Sequence, residues 1–147
     1  GHFAYPSVDP KRTVRFTPLQ KLLQDGRERE DGTVYFLVEN EIRQYEIAAV
    51  CIVDLDCDSN ACYPKDTMPF NRTSFDEETF TEYHQEVQKR KLYDTGKDFS
   101  YEDHLLTLQT CVEGREDERE IVIARLVHTF PVTDVCSFAK RTIPPAE

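Results

Sequence analysis

The sequence predicts a mainly β protein, a closed or partly closed sheet with one helix set among its strands. Three observations lead there. Runs rich in β-branched and aromatic residues recur at Thr33 to Val38, Gln44 to Val53, Leu105 to Thr110 and Ile121 to Val127. Only the segment after Ser74 repeats apolar residues at helical spacing over several turns. The order of elements is not the strand-helix alternation of a parallel sheet, which favours a barrel-like architecture. A closed barrel needs more strands than these, so further strands are expected before Gly1.

Taken in order, residues 3 to 15 carry Pro6, Pro10 and mixed charges and read as a loop. Phe16, Leu19, Leu22 and Leu23 then form a short helix-like stretch closed by Asp25-Gly26. After the charged run to Asp31-Gly32 come two strands, Thr33 to Val38 and Gln44 to Val53. Glu39-Asn40-Glu41 supplies the turn of the hairpin they form. Asp54 to Pro69 lacks any period and reads as a loop.

Ser74-Phe75-Asp76-Glu77 has the form of a capping box, with Ser74 at the N-cap and Glu77 reaching back. It predicts a helix with Phe80, Tyr83 and Val87 as its buried stripe and Glu78, Glu82, Glu86 and Lys89 facing water, ended by Tyr93 to Gly96. The last two strands flank the charged stretch Glu113 to Glu120, read as a turn. With 147 residues the chain is one domain, placed at 1–130 and followed by a tail at 131–147.

The net charge of −10 argues against a nucleic-acid surface or an anionic membrane as a partner and favours a basic one. No apolar run approaches the roughly 18 residues of a membrane span. Gly1 rather than Met opens the chain, so any targeting or anchoring segment is expected upstream.

Five cysteines, at 51, 57, 62, 111 and 136, leave at least one thiol unpaired within the chain. Cys51, inside an apolar strand, reads as a small buried hydrophobe. Cys57 and Cys62 suit a local disulfide better than a zinc site. Asp54, Asp56 and Asp58 read as a solvated acidic loop rather than a calcium site. No metal or other cofactor is implied.

Cys111 follows Leu105-Leu-Thr-Leu-Gln-Thr110 at a strand end, where a nucleophile is held rigidly yet stays reachable. Thr107-Leu108-Gln109-Thr110-Cys111, a charged turn, and then Arg119-Glu-Ile-Val-Ile-Ala-Arg-Leu-Val127 resemble the active-site signature of sortases. Arg43 to Ile47, the helix from Ser74 to Arg90, and Leu92 to Gly96 followed by Asp103 match the order seen in class B sortases. That class inserts a helix before its catalytic strand, and the similarity spans roughly residues 1 to 128.

The resemblance implies a sortase-like β-barrel and a cysteine transpeptidase. Cys111 would be its nucleophile, His2 of Gly1-His2 its general acid and base, and Arg119 the donor to the substrate carbonyl or oxyanion. Thr110, Gln109, the 54–73 loop and the helix after it would contact substrate. A thiol near its ordinary pKa is mostly protonated at neutral pH, so an imidazolium or guanidinium beside it is needed to favour thiolate.

The implied partners are a sorting-motif-bearing surface protein and an amine acceptor, a cell-wall precursor or a pilin lysine. The implied place is the outer face of the cell membrane or the cell wall, with membrane anchoring only through a segment absent from this chain. The same residues with water as acceptor make a hydrolase, and an inert Cys111 makes a surface binding domain. Two departures from the pattern stand out: Gln109 replaces the usual Ser, and the turn between Cys111 and Arg119 is short, with Arg115 inside it.

Overall fold

The computed structural model describes residues 19, 22–23, 32–38, 40–55, 69–112 and 114–132. The elements are β1 (Thr33–Val38), β2 (Glu41–Asp54), a 3-10 turn at Pro69–Asn71, α1 (Glu77–Arg90), β3 (Leu105–Val112) and β4 (Arg115–Pro131). They form one antiparallel sheet in the order β1-β2-β4-β3. The two longest strands, β2 and β4, lie at its centre. Register shifts between Gln44 and Tyr45 and between Ile47 and Ala49 break their ladder. Such irregularities bend and twist a sheet, and this one curls into a half-barrel.

Strand alternation sorts the side chains into two apolar layers. On one face Cys51, Val53, Ile121 and Ile123 pack with Phe70, Phe99 and the α1 stripe of Phe80, Tyr83 and Val87. On the other, Val50, Val122 and Ala124 pack with Tyr45, Ile47, Leu22 and the flanking Leu106 and Leu108. Leu19 and Leu23 lie against this second layer. α1 is tied down where it ends: the Lys91 amide donates to the Val87 carbonyl, the Leu92 amide to the Val50 carbonyl, and Lys91 bridges Cys51.

Three boundaries differ from those read in the sequence. The cap of α1 is Asp76, whose carboxylate accepts from the Thr79 amide at 2.8 Å while the Thr79 hydroxyl accepts from the Asp76 amide at 3.1 Å. The reciprocal box therefore starts two residues after Ser74, where a charged acceptor faces the positive helix end. The first hairpin closes directly after Val38, which already pairs with Glu41. The second closes between Val112 and Arg115, which pair with each other, and Gly114 adopts φ +73°, a left-handed conformation that costs glycine little.

Most of the charged stretch 113–120 is thus strand rather than turn. Its inner edge is paired by β2, with Asp54 opposite Glu118 and the Leu55 amide donating to the Asp117 carbonyl. The expected loop core at 56–68, including Cys57 and Cys62, lies outside the described residues, as does Cys136.

Candidate active site

β3 brings Cys111 to its last regular rung. Its Cα partner across the ladder is Arg119 of β4, and Arg119 in turn faces Val53 of β2. The next β3 residue, Val112, pairs with Arg115, so β4 contributes three residues, 116–118, that have no place in the β3 ladder. Bulges of this kind are common beside active sites, where they end a ladder and re-aim side chains. Here the irregularity leaves Cys111 and Arg119 as the final directly opposed pair. Directly opposed residues place their Cβ atoms about 4.5–5.5 Å apart on the same face.

That face is the α1 side. Cys111 shares it with Thr107 and Gln109, while Thr110 points the other way. Cys111 is half-buried and carries a thiol rather than a disulfide. Cys51 also carries a thiol, but it is fully buried, and burial pushes that thiol up to about 12. Its thiol donates to the Val87 carbonyl oxygen at 3.9 Å. Burial thus tells the two thiols apart. Arg119 is half-buried, and one Nη1–H donates to the Glu118 carbonyl at 2.8 Å, which fixes the guanidinium at the sheet end.

The other residues singled out from the sequence fall in three places. His2 lies outside the described residues. Gln109 sits on the same face as Cys111, two residues back along β3. Thr110 is 1% exposed and belongs to the opposite layer, so its side chain is not presented beside Cys111. His104 precedes Cys111 by seven residues along an extended segment, about 23 Å, and His128 follows Arg119 by nine residues, about 30 Å. His84 is held on α1 by Asp98 at 2.9 Å and by Gln88 at 3.3 Å, its ring against Phe80 and Phe99.

A cleft of about 560 Å³ opens on the same side of the sheet, near the start of β3. Arg43, Phe70, Arg72, Phe75, Tyr101 and Thr107 are among its walls. Thr107 lies four residues, about 13 Å, from Cys111. Its hydroxyl hydrogen-bonds the buried Tyr83 phenol, which joins α1 to β3. Sequence reading pointed to the segment before the helix as a contact region but not to this cavity. Aromatic residues at Phe70, Phe75 and Tyr101, far apart in the chain, converge only in three dimensions.

A second feature escaped the sequence altogether. Glu120, inside what reads as a solvated turn, is fully buried. Burial pushes its carboxyl up to about 8, from an ordinary value of 4.5. Among the described residues, no group of three or more His, Cys, Asp or Glu side chains is placed to hold a metal ion. Among them, too, no helix is long and apolar enough to cross a membrane.

No protein-family model matches the sequence, and no curated protein matches it. Solved structures do. Sortase B of Clostridium perfringens superposes with a TM-score of 0.62 at 23% identity, covering 87% of this chain and 63% of that one. Sortase B of Staphylococcus aureus gives 0.61 at 14% identity, covering 80% and 52%. Sortase B from the type II pilus of Streptococcus pneumoniae gives 0.60 at 16%, covering 86% and 64%. The chain thus spans less than two thirds of the length of each of these proteins. Four antiparallel strands in the order β1-β2-β4-β3, a helix placed before the strand that carries the cysteine, and these superpositions give the chain a class B sortase-like fold.

Proposed function

We propose that this protein is a cysteine transpeptidase of the sortase type, with Cys111 as nucleophile and Arg119 as its electrostatic partner. The observation that carries the reading is the direct opposition of Cys111 and Arg119 on the last regular rung of the β3–β4 ladder, within a sortase-like sheet. In the first half-reaction the Cys111 thiolate attacks a backbone carbonyl carbon of the donor peptide. A C–S bond forms, the carbonyl π electrons move onto oxygen, and Arg119 donates N–H groups to that oxyanion. Collapse breaks the C–N bond, and the departing amine needs a proton.

Arginine does not supply it, because its pKa lies above about 12. A general acid is therefore required, and we assign it to His2. In the second half-reaction an incoming amine gives up its proton to the neutral imidazole, attacks the thioester carbonyl, and releases the Cys111 thiolate. Atoms and charges balance over the two steps: one amide is broken and one is made. The donor segment is placed along the α1 side of β3, between Cys111 and the aromatic cleft, with Gln109 and Thr107 beneath it.

The donor is a surface protein bearing a sorting motif, and the acceptor an amine of a cell-wall precursor or a pilin lysine, acting at the cell surface. One solved sortase B is complexed with triglycine, which recommends that peptide as an acceptor probe. The test is incubation with a pooled library of short peptides, with and without triglycine, read by intact mass. An acyl adduct mapped to Cys111 and a triglycine-bearing product are expected. His2→Ala is expected to lose both while Cys111 still reacts with iodoacetamide. Release of free acid alone at saturating triglycine would make the enzyme a hydrolase, and absence of any Cys111 adduct would leave the fold without this activity.

A further inference from the structure

The cleft near the start of β3 differs in charge from the chain around it. Over the whole sequence 28 Asp and Glu outnumber 18 Lys and Arg. The described residues that line the cleft reverse that balance, with Arg43 and Arg72 against Asp103 as the one carboxylate. Asp103 is engaged in its own loop, where one carboxylate oxygen accepts from the Ser100 amide at 2.7 Å and from the Ser100 hydroxyl at 3.1 Å. Arg43 is held in place by Glu41, which accepts from its Nε–H at 2.5 Å, and by Tyr45. Arg72 stands exposed just after the 3-10 turn. Asp76 feels its charge, but that carboxylate is occupied by Thr79 as the cap of α1. His104, also in the wall, adds positive charge whenever it is protonated.

Much of the remaining wall is aromatic. Phe70, Phe80 and Tyr83 are buried, while Phe75 is half-buried and Tyr101 is 44% exposed. The rings brace one another, with centroids 4.7 Å apart for Phe75 and Tyr83, 5.6 Å for Phe80 and Tyr101, and 6.1 Å for Phe70 and Tyr83. The Tyr101 hydroxyl donates to the Phe75 carbonyl at 3.4 Å, which joins the segment after α1 to the one before it. A cleft so braced is formed before a ligand arrives, and little ordering is needed to fill it. Its volume of about 560 Å³ is that of a ligand site rather than a surface dimple.

We propose that this cleft selects the donor polypeptide by an aromatic or large apolar residue next to a single carboxylate, about four residues from the bond that Cys111 opens. The ring packs against Phe75 and Tyr101, and the carboxylate takes charge-assisted hydrogen bonds from Arg72 at the rim. A planar guanidinium suits both partners, since it binds a carboxylate with two parallel donors and also stacks on rings. One carboxylate fits better than an acidic run, because the net charge of −10 repels a polyanion over the rest of the surface. The spacing follows from β3: Thr107 in the cleft wall and Cys111 share a face four residues apart, and an extended peptide alongside covers that length with about the same number of residues. That the bound segment is a donor rests on the transpeptidase reading; that the cleft binds such a segment does not.

The test uses short end-blocked peptides that differ only in a central Phe-Asp, Phe-Asn, Phe-Lys or Ala-Asp pair, titrated into the chain and followed by amide NMR. Signals of Arg72, Phe75, Tyr101 and Thr107 should shift, and Phe-Asp should bind about fivefold or more tightly than Phe-Asn, Phe-Lys or Ala-Asp. Arg72→Glu should reverse the order of Phe-Asp and Phe-Lys. Arg72 is exposed, so the substitution leaves the core untouched, and the same spectra report the fold. Equal binding of Phe-Asp and Phe-Asn, an order unchanged in Arg72→Glu, or shifts confined to other surfaces would overturn the proposal. In the pooled library, peptides that acylate Cys111 should be enriched in the pair about four residues from the cleaved bond. Adducts without that enrichment would leave the transpeptidase reading standing and overturn donor selection by the cleft. The expected binding order without any Cys111 adduct would retain the peptide site and remove the transpeptidase reading.

Discussion

Replacing Glu120 with glutamine should remove a pH dependence of stability that the parent chain carries across neutral pH. The buried carboxyl titrates at about 8 in the folded protein against 4.5 ordinarily. Its folded pKa is raised, so its contribution is fully present below the unfolded value and is lost as pH rises toward the folded one. Each unit in that window costs about 1.4 kcal/mol, so between pH 4.5 and 7 the penalty is on the order of 3 kcal/mol. Carboxylates held low, such as Glu46 by Lys97 and Arg125, act in the opposite sense, and only at more acid pH. Urea unfolding at pH 5 and pH 7.5 measures the difference through the midpoint, given an unchanged m value. The parent midpoint should fall over that interval and the Glu120→Gln midpoint should hold. Parallel shifts in both proteins would refute the argument, because the slope would then belong to other groups.

The remaining predictions concern the site and its support. Arg119→Ala should lower the rate of Cys111 acylation by about 100-fold or more, whereas Arg119→Lys should retain part of it, since a point charge replaces a fork of donors; equal rates in all three, measured by adduct formation, would remove Arg119 from the site. Val87→Ala empties a fully buried position against Cys51 and should cost about 2–3 kcal/mol in urea unfolding. The same change should expose Cys51 to thiol reagents that otherwise label Cys111 but not Cys51, as mass mapping would show. Asp76→Ala removes the carboxylate half of the α1 cap and should lower Tm by a few degrees, with Asp76→Asn recovering most of the loss.

Much of this arrangement was legible in the residues. All four strands, the helix with its Phe80, Tyr83 and Val87 stripe, and the buried character of Cys51 follow from periodicity and composition, and the structure has each of them. The class B sortase resemblance rested on Thr107 to Cys111 and Arg119, and superposition with solved sortase B structures shows the same fold. The misreadings share one cause. Charge was taken as a sign of solvent, so Arg115 to Glu120 became a turn. In the fold that segment is a strand between β2 and the end of β3, and alternation alone decides which of its charged side chains are buried. The cap was misplaced for a related reason: Ser74 and Glu77 satisfy the spacing, but Asp76 and Thr79 do so as well, with a charged acceptor, and local pattern cannot choose between overlapping boxes. The cleft had no signal in the sequence, because its walls come from four separate segments.

The alternation that hid Glu120 also explains why the two faces of one rung pair carry different tasks. Chemistry at a sheet end needs side chains that reach a substrate, and position there needs side chains that do not. Adjacent residues on two paired strands meet both needs with four positions: Cys111 and Arg119 face the α1 side, where the cleft opens, and Thr110 and Glu120 face the packed interior. Neither pair could be moved by one residue without exchanging roles, because a strand has only two faces. The acidic side chain that looks misplaced in an apolar layer therefore shares its register with the Cys111–Arg119 pair. A substitution that makes that layer more uniform should raise stability at neutral pH, where burial of the Glu120 carboxyl is costly.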